Sequence, residues 1–129
     1  MGEPATILII DDDASIRIIA KRALEGFGYV VVVADDGEAG LRTLRSHEGR
    51  VNGVLLDLTM PGMSGEDTLR AITTDSTKVP VVVMSGHEEL SIESYRAEGL
   101  VAGFLHKPFT LENLREAVEE ALAEELGRP

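Results

Sequence analysis

The chain has 129 residues, 43% of them hydrophobic and 27% charged, which suits one domain able to bury a core of its own. It contains no cysteine, so a disulfide framework, thiolate catalysis and cysteine-based zinc binding are excluded. With 23 acidic and 12 basic residues the formal net charge is −11, and direct binding to nucleic acid is not expected.

The first apolar run, Thr6 to Ile10, predicts a strand and ends at Asp11 and Asp12. Asp13 is the expected amino cap of a helix from Ala14 to Gly26, in which Ile16, Ile19, Ala20, Ala23, Leu24 and Phe27 recur at helical spacing. Gly26 and Gly28 stop it. Tyr29 to Val33 predicts a second strand, Asp36 to Ser46 a second helix carrying Leu41 and Leu44, and Val51 to Leu56 a third strand closed by Asp57. Met60 to Gly65 is a turn, with Gly62 and Gly65 as turn and helix-entry residues, before a helix carrying Leu69 and Ile72.

Pro80 opens a fourth strand that runs through Val81 to Met84 and meets Ser85. Residues Glu88 to Glu98 predict a weaker helix, because Leu90, Ile92 and Tyr95 form only a thin apolar stripe. Ala102 to His106 is a fifth strand followed by Lys107, and Thr110 caps a last helix in which Leu111, Leu114, Val118, Ala121 and Leu122 keep helical period up to Gly127. Strands alternating with helices predict a doubly wound parallel sheet covered on both faces, with no internal linker or repeat. No apolar stretch reaches the about 20 residues that span a bilayer, and no signal-peptide pattern starts the chain. A soluble, cytoplasmic protein without direct membrane contact is therefore expected.

Four apolar runs thus end in residues suited to phosphate chemistry: Asp11 and Asp12, Asp57, Ser85 and Lys107. If the runs are neighbouring parallel strands, their carboxyl ends share one sheet edge, where open α/β folds bind ligands. Three carboxylates gathered there repel, at on the order of 4 kcal/mol for a pair about 4 Å apart at an effective dielectric of about 20. Proton uptake or a divalent cation must relieve this, and hard oxygen donors favour Mg²⁺ or Mn²⁺. Asp57 is the candidate nucleophile for an aspartyl-phosphate, Asp12 and less directly Asp11 hold the metal, and the Thr59 carbonyl adds a ligand if the chain curls over the site. Lys107 pairs with a phosphoryl oxygen, Ser85 hydrogen-bonds another, and Gly86 leaves that loop room to move.

These residues resemble the receiver domains of two-component response regulators over roughly Ala5 to Leu126. The motifs are Ile-Leu-Ile-Ile-Asp-Asp-Asp at 7–13, Leu-Leu-Asp-Leu-Thr-Met-Pro-Gly-Met-Ser-Gly at 55–65, Met-Ser-Gly at 84–86 and Lys-Pro-Phe at 107–109. The resemblance implies a flavodoxin-like five-stranded sheet of order 2-1-3-4-5 with five helices, an order that the apolar runs alone do not set. It implies that Asp57 accepts a phosphoryl group from a histidine kinase or phosphotransfer domain, with Mg²⁺ obligatory and Asp11 and Asp12 as the acidic pair. The domain is then a switch with self-catalysed phosphotransfer and slow autodephosphorylation, not an enzyme. Ser85 moves toward the phosphate while Phe104 turns inward, changing the surface of the fourth helix, fifth strand and fifth helix, through which a homodimer is one expectation. Phe104 lacks the hydroxyl of the tyrosine often found there. His87 borders the phosphoryl site by the same resemblance and is a candidate modulator of phosphate lifetime, and the Lys107–Pro108 bond is expected to be cis.

The runs Met84 to His87 and Gly103 to Phe109 are especially similar to receivers of hybrid sensor kinases, and a receiver cut from a larger protein is the favoured expectation over a single-domain regulator. Asp13 is expected only to cap, His47 and His106 to be surface and strand residues, and Phe27, Phe104 and Phe109 to lie in the core. Two rivals remain. Asp11 and Asp13 imitate the nucleophile and acid of haloacid-dehalogenase-like phosphohydrolases, although no second acidic pair follows a late strand. A docking module that is never phosphorylated is the other.

Overall fold

A computed structural model describes residues 3–47, 50–59, 65–74, 79–86 and 101–126. Five short strands, β1 (Thr6–Ile10), β2 (Val30–Ala34), β3 (Gly53–Asp57), β4 (Val81–Ser85) and β5 (Gly103–His106), form one parallel sheet of order β2-β1-β3-β4-β5. Among the described residues, helices α1 (Ala14–Gly26), α2 (Gly37–Ser46) and α3 (Gly65–Thr74) and the C-terminal helix (Leu111–Leu126) cover it. The helix expected over 88–98 and the turn expected at 60–64 lie outside the described residues, as do Gly62 and His87.

Side chains alternate across the sheet with period two, so each strand feeds both faces. Leu8, Ile10, Val54, Leu56, Val81 and Val83 pack with Leu41 and Leu44 of α2 and with Leu69 and Ile72 of α3. Ile7, Ile9, Leu55, Val82, Met84 and Leu105 pack on the opposite face with Ala20 and Leu24 of α1 and with Leu114, Val118 and Ala121 of the C-terminal helix. Every residue of β3 and β4 is buried, which is why these strands read as continuous apolar runs and not as alternating ones.

Side-chain caps fix where three helices begin. Asp13 accepts hydrogen bonds from the Ser15 and Ile16 amides (2.8 and 3.4 Å), Asp36 from the Ala39 amide (2.7 Å), and the Thr110 hydroxyl from the Asn113 amide (3.0 Å). At Gly28 the chain leaves α1 with φ of +103°, a conformation that favours glycine. Two apolar residues in and just after α1 do not face the core as helical spacing suggests. Ile19 is 53% exposed, and Phe27 is 36% exposed with the Arg115 guanidinium 5.1 Å from its ring centroid. No described helix is long and apolar enough to cross a membrane.

Candidate functional site

The strand order reverses at β1 and β3, and the crevice at such a switch point opens beyond the carboxyl ends of the strands. Asp11 and Asp12 follow β1 there, Asp57 closes β3, Ser85 closes β4, and Lys107 follows β5. Asp11 is completely buried, Asp57 is 2% exposed and Ser85 is buried, whereas Asp12 faces solvent. Carboxylate oxygens of Asp11, Asp12 and Asp57 lie within 4.8 Å of one another. The Lys107 ammonium reaches both buried members, at 3.0 Å from Asp11 Oδ2 and 3.5 Å from Asp57 Oδ2. Its backbone amide donates to the Ser85 carbonyl (2.8 Å), tying the ends of β4 and β5 together.

The two oxygens of Asp57 are not equivalent. Oδ1 accepts from both the amide (2.9 Å) and the hydroxyl (2.8 Å) of Thr59, while Oδ2 faces Lys107. Burial pushes the Asp57 carboxyl up, but the two Thr59 donors and the Lys107 charge outweigh it and hold the group below the usual carboxylate range. Asp11 goes the other way. Burial, with the Asp57 charge added, raises it despite the Asp13 amide at 2.9 Å and the Lys107 ammonium. Lys107 is raised: burial would lower it, and the hydrogen bond to Asp11 and the charges of both aspartates prevail.

Two buried carboxylates and one ammonium leave the pocket short of positive charge, and the third carboxylate is on its open side. That donor set fits a small hard divalent cation, which keeps part of its water shell and takes phosphate oxygen as a further ligand. Asp13 is not part of the trio; its carboxylate is engaged as the α1 cap.

The remaining expected residues are placed as follows. Gly86 is exposed, with nothing within 4 Å of where a Cβ would stand. Phe104 is half-buried, packs against the core shared with α2 and α3, and meets the exposed His106 edge-on at 6.0 Å between ring centroids. Phe109 is half-buried against the other core. The Lys107–Pro108 peptide bond is cis. His47 Nδ1 lies 2.8 Å from the Thr43 carbonyl at the end of α2.

Two contributions were not anticipated. Thr59 acts on Asp57 through its amide and hydroxyl, which a threonine two residues after a strand-end aspartate could have signalled as a side-chain-to-backbone turn. Arg17 donates from Nη1 to the Asp11 carbonyl (2.8 Å), a contact that no helical or strand period announces.

The model of the response regulator receiver domain matches residues 7–119. The chain belongs to that family. It is 35% identical to the chemotaxis protein CheY of Pseudomonas aeruginosa over 117 residues, which are 88% of this chain and 93% of that protein. It is also 35% identical to the response regulator MprA of Mycolicibacterium vanbaalenii over 86% of this chain and 47% of MprA. The receiver-like match to the sensor kinase CckA of Brucella abortus is 32% identical and covers 92% of this chain but 12% of that kinase. The chain thus spans less than half the length of several curated relatives it matches. A receiver domain protein from Clostridium thermocellum superposes with a TM-score of 0.86 at 30% identity, covering 95% of this chain and 97% of the other. The fold and family together define a receiver domain of the CheY-like response regulators.

Proposed function

We propose that residues 5–126 form one phosphorylation-activated receiver that accepts a phosphoryl group on Asp57 from a histidine kinase or phosphotransfer domain in the cytoplasm. One observation carries this reading: Asp57 has Oδ1 accepting two hydrogen bonds from Thr59 while Oδ2 is left facing Lys107 in a pocket shared with Asp11 and Asp12. Oδ2 is therefore the attacking oxygen. As its bond to phosphorus forms, the phosphorus–nitrogen bond of the donor phosphohistidine breaks, and the electron pair leaves on the imidazole. The Lys107 ammonium, already between the two aspartates, pairs with an equatorial phosphoryl oxygen.

The Asp11, Asp12 and Asp57 carboxylates and the Thr59 carbonyl are the groups that would hold Mg²⁺, with Mn²⁺ as a substitute. When bound, the ion supplies neutralisation of the carboxylates and of the charge spread over the phosphoryl oxygens. Ser85 donates its hydroxyl to a phosphoryl oxygen, and the open space at Gly86 lets that strand end shift toward it. Phe104 then repacks toward the core, which changes the face made by β5 and the C-terminal helix for an effector or a second copy. The chain acts as a regulator, with transfer assisted by its own pocket and slow return of phosphate to water. His87 is proposed to set that rate, which an unchanged dephosphorylation rate in His87→Ala would contradict.

The test is intact-mass measurement after incubation with a small acyl phosphate. One added phosphoryl group is expected with Mg²⁺, none after chelation, and none in Asp57→Asn. An unmodified chain throughout would favour the docking module, and an undiminished gain in Asp57→Asn would place the chemistry elsewhere.

A further inference from the structure

We infer that Arg17 is a positioning residue for the metal, acting through the peptide that joins Asp11 to Asp12; this rests on the Mg²⁺ reading of the acidic pocket. Asp11 is held by four contacts. Its amide donates to the Ala34 carbonyl (3.2 Å), its Oδ1 accepts from the Asp13 amide (2.9 Å), its Oδ2 accepts from Lys107 (3.0 Å), and its carbonyl accepts from Arg17 Nη1 (2.8 Å). Asp13 is fixed in turn as the cap of α1, and the Arg17 amide donates to its carbonyl (3.1 Å).

Asp12 sits between these two anchored residues. It is exposed, and among the described residues no hydrogen bond restrains its carboxylate. Its placement depends on the backbone, and the plane of the peptide before it is set by where the Asp11 carbonyl points. Arg17, half-buried one turn into α1, holds that carbonyl with a charged donor, so the peptide cannot rotate without breaking a part-buried, charge-assisted bond. The Asp12 carboxylate is thereby kept beside Asp11 and Asp57, where a cation can use all three.

The sign of the effect separates positioning from simple charge. Arg17 is a cation near a cation site, so by Coulomb's law its removal should tighten Mg²⁺ binding if charge alone mattered. Positioning requires the opposite. The experiment is calorimetric titration of the full chain with MgCl₂ at neutral pH, for the original protein, Arg17→Met and Arg17→Lys, with melting curves with and without the ion. Arg17→Met is expected to bind Mg²⁺ about tenfold more weakly, the size seen when a partner that orients a metal ligand is lost. Arg17→Lys keeps the charge but not the planar fork, and is expected to bind severalfold more weakly, with a smaller Mg²⁺-induced rise in melting temperature. Equal or tighter binding by Arg17→Met overturns the role. Should that variant fail to fold, Arg17→Lys decides alone, unchanged affinity overturning it. No Mg²⁺ binding by the original chain would instead remove the metal reading itself, and this role with it.

Discussion

Replacing Asp11 by Asn is expected to stabilise the metal-free protein. At an effective dielectric of about 20, the 3.0 Å contact with Lys107 is worth about 6 kcal/mol of attraction. Against it stand repulsion from Asp57, whose oxygen lies within 4.8 Å and contributes about 3 kcal/mol or more, and a burial penalty of about 5 kcal/mol for a carboxylate with no exposed surface. The balance is a cost of about 2 kcal/mol for the ionised group, in the direction that its raised pKa demands. The introduced amide keeps an oxygen to accept from the Asp13 amide, and Lys107 keeps Asp57. Urea unfolding at pH 7 with chelator should therefore show Asp11→Asn more stable by about 1–3 kcal/mol, or a melting point higher by roughly 3–5 °C per kcal/mol.

The pH dependence fixes the cause. The native state binds the Asp11 proton more tightly than the unfolded chain, so the cost is absent below the unfolded value of 3.8 and grows as pH rises through the higher folded value. The advantage of the variant should fade as pH falls through that window. Saturating Mg²⁺ should shrink the advantage at pH 7, since ion at about 100 times its dissociation constant adds about 2.7 kcal/mol to the original chain and less to the variant. A variant that is less stable than the original at pH 7 without metal, by an amount independent of pH, would refute this electrostatic account.

Lys107→Met leaves two buried carboxylates without their shared ammonium; with 20% of the lysine side chain exposed, a loss of about 3 kcal/mol in metal-free urea titrations is expected, part of it restored by Mg²⁺. Thr59→Val removes one of two donors on Asp57 Oδ1, so the Asp57 carboxyl should titrate higher by carbon-detected NMR. The depressed Asp57 pKa stabilises the fold above the unfolded value of 3.8 and is lost as pH falls through the folded value, so this variant should lose about 1 kcal/mol at neutral pH and less in acid. Gly65→Ala would drive a Cβ into the Leu58 Cα and to 2.6 Å from its carbonyl carbon; because backbone cannot yield as a side chain can, thermal unfolding should show about 2 kcal/mol or more of lost stability.

The strands were legible because a parallel sheet buried on both faces leaves uninterrupted apolar runs, and Val54 to Leu56 and Val81 to Met84 are fully buried. Boundaries moved by one or two residues where flanking residues are also apolar: β2 is Val30–Ala34 instead of Tyr29–Val33, and β3 begins at Gly53 instead of Val51. The caps at Asp13 and Thr110 were readable because a short polar side chain before an apolar helical pattern has one main use. Helical spacing placed Ile19 on the core face, yet it is 53% exposed, and only Ala20 and Leu24 of α1 are fully buried. Strand order came with the family resemblance, since apolar runs do not record which neighbour each strand chooses. The site residues were legible through their position after strands, and the Thr59 clamp on Asp57 is local enough to be read from a threonine two residues on, whereas the Arg17 contact depends on loop geometry that no periodicity records. Gly65 read as a helix-entry residue, but the closeness of Leu58 is a three-dimensional constraint.

Under the proposed function Asp57, and neither member of the acidic pair, carries the phosphoryl group. An acyl phosphate is trapped by hydroxylamine as a hydroxamate at the carboxyl that carried it, so peptide mass mapping after exposure to a small acyl phosphate, Mg²⁺ and then hydroxylamine reads the position directly. The hydroxamate is expected at Asp57 with Mg²⁺ present and nowhere with chelator; a hydroxamate at Asp11 or Asp12, or equal labelling without the ion, would contradict the assignment.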